Sequence, residues 1–252
     1  MSAVSHAFRV FEAVAQWQPI GVSAVASSLV MSKSTTQRAL RALADEGWIE
    51  PSHNDSTKWV ITTKAFALGS RHAGATSVRE LTRTAMGELF DAFGETVHLS
   101  ILDGRHLVVV ELLETTAPVR THTRIGDRFP LHATASGIAM LADMRASAIR
   151  ESLDAGQPLE QLTAATPTDL ASIEQRVATA RTSGYAVTEG TRHEGISAIG
   201  AAVLDRGGDP FAAISVSAPS ARLPESVHAE VGEQVRKAAR RCSGVYNYER
   251  AT

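Results

Sequence analysis

The stretch of sequence that decides the fold is SAVASSLVMSKSTTQRALRALADE, residues 23–46. Ser23 stands where a hydroxyl can cap a helix of about two turns, since small polar side chains accept hydrogen bonds from the free N–H groups of a first turn. After a tight turn, Ser32 can cap a further helix that runs to about Glu46. A short helix, a tight turn and a second helix are the parts of a helix-turn-helix.

The helix after Ser32 has two unlike faces. Ala39, Leu40 and Leu43 recur at the spacing of a buried stripe, whereas the opposite face is rich in hydrogen-bond donors and poor in acids. Arginine and glutamine can bind base edges in the major groove, and the free N–H groups at a helix start favour a phosphate. We therefore predict that this helix contacts DNA through Ser32, Lys33, Ser34, Thr35, Gln37, Arg38 and Arg41. The alternative is the solvated face of a plain helical bundle.

Residues 47–61 predict a two-stranded wing after this helix. Residues 47–50 and 59–61 are suited to paired strands, and a polar tip runs between them from Pro51 to Lys58. Wing tips of this kind can contact sugar and phosphate, so Lys58 joins the predicted DNA-binding residues. An ordinary polar hairpin loop is the alternative, but the order of helices and wing favours DNA binding.

Two helical segments lie on either side of this region. Apolar residues at helical spacing predict one helix over about residues 3–16 and a mostly helical run over residues 63–93, which Gly94 ends. The apolar stripe of the second run fits either a dimer seam or packing against its own domain. The domains expected are a winged helix-turn-helix at residues 1–73, a linker helix at 74–93 and a larger domain at 94–252.

The C-terminal two thirds predict a mixed α+β domain. Asp103-Gly104 is a hairpin turn between two alternating strands, and a further strand is expected over 119–123. Two more strands, residues 196–204 and 211–217, precede a closing helix that starts at Pro224.

Two segments of this domain have distinctive helix starts. Residues 133–137 are a run of small side chains that suits either a carboxylate at exposed N–H groups or tight helix-on-sheet packing. Residues 166–169 predict another helix start with Thr166 as the cap.

In the last strand, Phe211, Ala213, Ser215 and Ser217 are expected to share one face.

Composition narrows the class of protein. The net charge is −2, but residues 1–75 carry seven Lys and Arg against five Asp and Glu, a slight basic excess in the predicted DNA-binding part. The single cysteine, Cys242, excludes an internal disulfide and predicts a small buried residue in a reducing cytoplasm. We find no apolar run long enough for a transmembrane helix and no pattern of a signal peptide.

Signatures of catalysis are missing from the sequence. It contains no G-x-S-x-G elbow, no H-E-x-x-H and no P-loop. His132, Ser136 and Asp127 are close in sequence, which does not make a triad. An enzyme, or a small-molecule-binding module without DNA function, is the alternative to a regulator, and no cofactor or metal is indicated.

The chain resembles the IclR family of bacterial regulators over nearly its whole length. Six segments carry the resemblance, and their order and spacing are more specific than any one of them. They are residues 32–40, 94–99 (GETVHL), 131–137 (LHATASG), 184–186 (GYA), 194–196 (EGI) and 211–217 (FAAISVS).

The resemblance implies a winged helix-turn-helix, a linker helix and a GAF-like effector domain in a homodimer or a tetramer made of two dimers. Its partners would be double-stranded operator DNA and a small organic acid, often an aromatic one. Its activity would be repression of a catabolic operon. The ligand-binding residues that it implies are Thr121, Phe129, Ala135, Ser136, Thr188, Glu189, Ile196, Ala198, Ser215 and Ser217.

Departures from the family pattern bear on the charge of the effector. Ile138 stands where the family usually has lysine, and Ala202 where proline is common. Without that lysine, an apolar or aromatic and uncharged effector becomes more plausible. Arg120, Arg124 and Arg128 could still supply positive charge, although surface positions are the simpler interpretation.

Overall fold

A computed structural model describes residues 2–69, 73–153 and 158–245. The chain divides into two compact units, Met1–Ala73 and Gly74–Thr252. In the described part of the chain, no helix combines the length and the apolar character that crossing a bilayer requires.

The N-terminal unit is a three-helix core with a small antiparallel sheet. Its elements, in chain order, are α1 (Ala3–Trp17), β1 (Ile20–Gly21), α2 (Val22–Ser28), α3 (Lys33–Asp45), β2 (Ile49–Ser52), β3 (Asp55–Ile61) and α4 (Thr63–Gly69). The strand order is β1-β3-β2. Val14, Val25, Leu40 and Ile49 are buried together in its core, so the apolar stripes predicted for the first three helices pack against one another.

The helix-turn-helix is confirmed, with one change at its start. The Ser32 hydroxyl accepts a hydrogen bond from the Thr35 N–H at 3.2 Å, as expected of a cap. Ser23, however, lies inside α2, whose N-cap is Gly21 without a side-chain hydrogen bond. The helix starts earlier because Ile20 and Gly21 pair with β3, and α2 begins at the residue that follows them.

The wing is longer and its tip shorter than predicted. β2 continues to Ser52 and β3 begins at Asp55, so only His53 and Asn54 form the tip. The Asp55 carboxylate accepts hydrogen bonds from the backbone and hydroxyl of Thr57, which holds the polar residues in strand geometry.

The C-terminal unit has one antiparallel sheet between two helical layers. Its elements are α5 (Ala73–Phe93), β4 (Thr96–Asp103), β5 (His106–Leu113), β6 (Arg128–Pro130), a 3-10 turn (Leu131–Ala133), α6 (Ala135–Asp143), α7 (Ala146–Leu153), α8 (Leu170–Ser183), β7 (Ala186–Glu189), β8 (Ile196–Leu204), β9 (Pro210–Pro219) and α9 (Glu225–Cys242). The strand order is β6-β5-β4-β9-β8-β7.

Each sheet face buries its own apolar cluster. One face packs on α5 and α9, where Met86, Leu89 and Cys242 are buried against Leu99 and Ile214. The other packs on α6 and α8. The apolar stripe of the predicted linker therefore covers the sheet of its own unit.

Three local predictions in this unit are wrong. Residues 119–123 form no strand, because β6 already occupies the outer edge of β5 by pairing Phe129 with Leu107. The cap of α8 is Asp169, whereas the Thr166 hydroxyl donates to the Thr191 carbonyl at 2.6 Å. Phe211 is the extra residue of a bulge and packs with Ala212 and Ile214 on the opposite face from Ser215.

The small residues at the start of α6 serve close packing. A Cβ on Gly137 would lie 2.0 Å from the Leu131 carbonyl oxygen, and one on Gly200 of β8 would lie 2.8 Å from the Ser136 nitrogen. The Gly137 N–H is already bonded to the Thr134 hydroxyl at 3.0 Å. Of the two interpretations, tight helix-on-sheet packing is the one that the contacts support.

Candidate functional site

The exposed face of α3 carries the predicted DNA contacts. Thr36, Ala39, Leu40 and Leu43 are buried on the inner face. The outer face leaves the side chains of Lys33, Ser34, Gln37, Arg38 and Arg41 exposed. Ser32 is exposed but serves as the cap, and Thr35 is half-buried and accepts a 3.5 Å contact from Arg38 Nη2.

The wing adds one cation, which has a partner. Lys58 Nζ lies 3.5 Å from an Asp55 carboxylate oxygen, and both side chains are exposed enough for solvent to weaken the pair. Hydrogen bonds from Thr57 lower the pKa of Asp55. The charge of Lys58 is therefore partly offset at this position.

A cavity of about 60 Å³ lies on the sheet face beside the start of α6. Strands β4, β9 and β8 form its floor, and β6 and the loop after β7 close its sides. The lining residues are His98, Ser100, Leu107, Val109, Thr121, Phe129, Thr134, Ser136, Thr188, Thr191, Arg192, His193, Ile196, Ala198, Ser215 and Ser217.

The structure brings together most of the ligand-binding residues that the resemblance implied. Thr121, Phe129, Ser136, Thr188, Ile196, Ala198, Ser215 and Ser217 all line the cavity. Two do not. Ala135 is buried under the helix start, and the exposed side chain of Glu189 lies 3.7 Å from the His228 ring on α9. Glu189 alternates with Thr188 along β7, so it lies on the opposite face of the strand.

Sequence reasoning missed the basic side chains of the cavity, His98, Arg192 and His193. His98 on β4 is 6% exposed, and Arg192 in the loop after β7 is partly buried. Among the described residues, His98 Nε2 and Arg192 Nε are the buried side-chain polar atoms without a hydrogen-bond partner. The alternation along β4 could have indicated His98, which pairs with Ser215. No pattern in the sequence distinguishes Arg192.

Burial shapes the charges in the cavity. Burial, and to a smaller extent the positive charge of Arg192, lower the pKa of His98 to about 3. Burial also lowers the pKa of Arg192 to about 10, against an opposing effect of Asp127. At neutral pH the cavity therefore presents a cation beside a neutral imidazole.

The three arginines considered from the sequence lie at the surface. Arg120 pairs with Glu114 at 2.8 Å, and Arg128 pairs with Asp103 at 2.5 Å, in both cases with solvent-exposed side chains. Arg124 is exposed as well. Ile138 is buried in an apolar cluster and does not line the cavity, whereas Arg192 does.

His132 is not placed for catalysis with Ser136. Its Nε2 lies 2.9 Å from the Glu160 carbonyl oxygen, a bond that anchors the loop before α8. The Ser136 side chain lines the cavity.

Acidification should destabilise the protein through His98. The histidine has a pKa near 6.5 in the unfolded chain and about 3 in the folded one. The unfolded state therefore binds more protons between these values, so folding stability falls as the pH drops through that window. Urea unfolding measures the effect. Between about pH 7.5 and 5, the free energy of unfolding should fall by about 2 kcal/mol more in the wild type than in His98→Gln. His53→Gln on the exposed wing is the control, and equal losses in wild type and His98→Gln would contradict the prediction.

Family comparisons cover both units. Residues 3–53 match the IclR helix-turn-helix domain, and residues 71–244 match the bacterial transcriptional regulator IclR C-terminal domain. Together these two matches take in most of the chain.

Known relatives are similar to this chain over most of their length. The chain is 29% identical to the HTH-type transcriptional regulator KdgR of Escherichia coli, covering 98% of this chain and 94% of that protein. It is 32% identical to the HTH-type transcriptional repressor AllR of the same species, over 87% and 80%. An IclR homolog from Microbacterium hydrocarbonoxydans, crystallised with 4-hydroxybenzoate, has the same fold, with a TM-score of 0.80, 23% identity and coverage of 96% and 98%.

Proposed function

The chain belongs to the IclR family of bacterial transcriptional regulators, and we propose that it binds operator DNA through α3 and the wing under the control of a small organic acid. Its relatives are regulators rather than enzymes. The observation that carries the proposal is the exposed, donor-rich face of α3 within a helix-turn-helix.

The chemistry of the exposed side chains supports separate roles in contacting DNA bases and DNA phosphates. Gln37, Arg38 and Arg41 stand along the outer face of α3, where bidentate donors can contact base edges. Lys33 and Ser34 lie at the start of that helix, where N–H groups and positive charge favour a phosphate. Lys58 on the wing would contact the DNA backbone, with a phosphate replacing Asp55 as the partner of its ammonium group.

The effector would occupy the cavity of the C-terminal unit. Hydroxyls of Thr121, Ser215 and Ser217 line it, and Arg192 supplies a positive charge. Its volume of about 60 Å³ is small beside the roughly 150 Å³ that holds benzene in a protein interior. This size favours a compact acid, and the aromatic preference predicted from the sequence would require the lining to open.

The assembly and the direction of control follow the resemblance. We expect a homodimer or a pair of dimers in the cytoplasm, since a two-fold protein suits two operator half-sites. Repression of a catabolic operon is the expected activity, in line with the repressor AllR. Effector binding would shift the population of conformers that fit both half-sites.

Footprinting tests this function directly. Full-length protein should protect a specific segment beside its own gene in the presence of excess competitor DNA, and one small acid should change that protection. Ligand binding without any specific footprint in a genome-wide DNA selection would favour a binding module. Chemical turnover of the ligand would favour an enzyme.

A further inference from the structure

We propose that Arg192 and His98 form a two-point recognition site for a hydroxy- or oxo-carboxylate. The guanidinium pairs with the carboxylate, and the imidazole hydrogen-bonds to the second oxygen group of the same ligand. The inference rests on the proposed function only in assigning this ligand as the effector.

His98 is the stronger of the two observations. Its side chain is nine-tenths buried, faces the cavity, and has a ring nitrogen, Nε2, without a hydrogen-bond partner among the described residues. A buried polar group left unbonded is destabilising, so a ligand that bonds to it gains affinity. A neutral imidazole nitrogen can donate to an oxo group or accept from a hydroxyl, depending on the tautomer.

Arg192 is held in place for a ligand rather than for a protein acid. Its Nη2 donates to the Thr123 hydroxyl at 3.0 Å, and its guanidinium lies 3.7 Å from the centre of the Phe129 ring. These contacts fix the plane of the group and leave the buried Nε–H without a partner in the described chain. Asp127 is the acid whose charge acts on it, and the described residues show no ion pair between the two.

The two groups together define the chemistry of the ligand. A fixed guanidinium plane suits the planar carboxylate, to which it can donate two parallel hydrogen bonds. Arg192 and His98 line the same small cavity, and the charge of Arg192 is one of the causes that lower the pKa of His98. One small molecule can therefore reach both if its second oxygen group lies close to the carboxylate.

Matched ligand pairs test the proposal on the full-length protein. Calorimetric titration compares lactate with lactamide and with propionate, and glycolate with glycolamide and with acetate. The wild type should bind at least one hydroxy acid about 10- to 100-fold more tightly than its amide. It should also prefer that acid to the parent acid without the hydroxyl.

Two variants assign the preferences to residues. Arg192→Gln should remove the preference for acid over amide, while Arg192→Lys keeps part of it because the charge remains. His98→Phe should remove the preference for the hydroxy acid over its parent. The control is Arg120→Gln, which deletes an exposed, ion-paired arginine of the same unit and should bind as the wild type does. Melting curves confirm that each variant is folded.

The outcomes separate this inference from the proposed function. Equal affinity of the wild type for every acid and its amide, or an acid preference that survives Arg192→Gln, would overturn the inference. Neither result concerns DNA, because the titrations contain none. Failure of the wild type to bind any specific DNA would instead count against the proposed function and leave the ligand preferences to be judged by themselves.

Discussion

Arg38→Ala is expected to lower the affinity of the full-length protein for its operator by about 30-fold or more. Arg38 is exposed in the middle of the outer face of α3, and its side chain makes one marginal hydrogen bond among the described residues, to Thr35 at 3.5 Å. A bidentate contact to a base is worth about 1–3 kcal/mol of discrimination. A dimer on a two-fold operator makes this contact in each half-site, so at least about 2 kcal/mol is lost in total. That energy corresponds to the 30-fold lower limit.

The pattern of loss distinguishes base reading from charge. Arg38→Ala should relax sequence preference at one position of each half-site, as measured by gel shift against single-base operator variants. Lys33→Ala should weaken all sequences alike and reduce the dependence of affinity on salt. Arg206→Ala, on an exposed turn of the other unit, is the matched control for removing an arginine. Unchanged specificity in Arg38→Ala would contradict the assignment of α3 as the reading helix.

Local rules recovered the helix-turn-helix because its information is local. Ser32 caps α3 as predicted, and Leu40 and Leu43 follow the helical period onto the buried face. The hairpin between β4 and β5 is likewise confirmed, since Gly104 has the positive φ of +61° that the Asp103-Gly104 turn requires. Such signals lie within a few residues of the feature they specify.

Contacts between distant segments set the features that were missed. The absence of a strand at 119–123 depends on β6 having taken the free edge of β5. Thr166 looks like a cap in sequence, but a carbonyl 25 residues away, that of Thr191, accepts its hydroxyl. In both cases a contact with a distant segment determines the local structure, and the local sequence pattern does not.

The candidate site shows the same division. The sheet-lining residues Ser215 and Ser217 follow from strand alternation, and the resemblance located most of the remainder. Arg192 enters the cavity from a loop, where no periodicity fixes the direction of a side chain. The residues that hold its guanidinium, Phe129 and Thr123, come from a segment distant in sequence, so no local pattern indicates its position. The charge of Arg192 is why we propose an acid as the effector, although Ile138 alone favours an uncharged one.

Gly137→Ala should destabilise the C-terminal unit by about 3 kcal/mol or more. The new Cβ would lie 2.0 Å from the Leu131 carbonyl oxygen, a backbone atom that cannot swing aside as a side chain would. Leu131 itself is 1% exposed, and α6 packs on β8, so relieving the clash has to move buried backbone. Overpacking in a core typically costs 1–3 kcal/mol and sometimes more. Urea unfolding of the full-length protein measures the loss.

Gly87→Ala supplies the contrast that makes the test specific. Gly87 lies inside α5 with open space around the position of a Cβ, so alanine there should raise stability by up to about 1 kcal/mol through helix propensity. The same chemical change thus has opposite signs at two helical glycines. Gly200→Ala should also destabilise the unit, because its Cβ would lie 2.8 Å from the Ser136 nitrogen at the start of α6. A neutral result at Gly137 would contradict the close packing of α6 on the Leu131 backbone. A neutral result at Gly200 would contradict the close packing of α6 on β8.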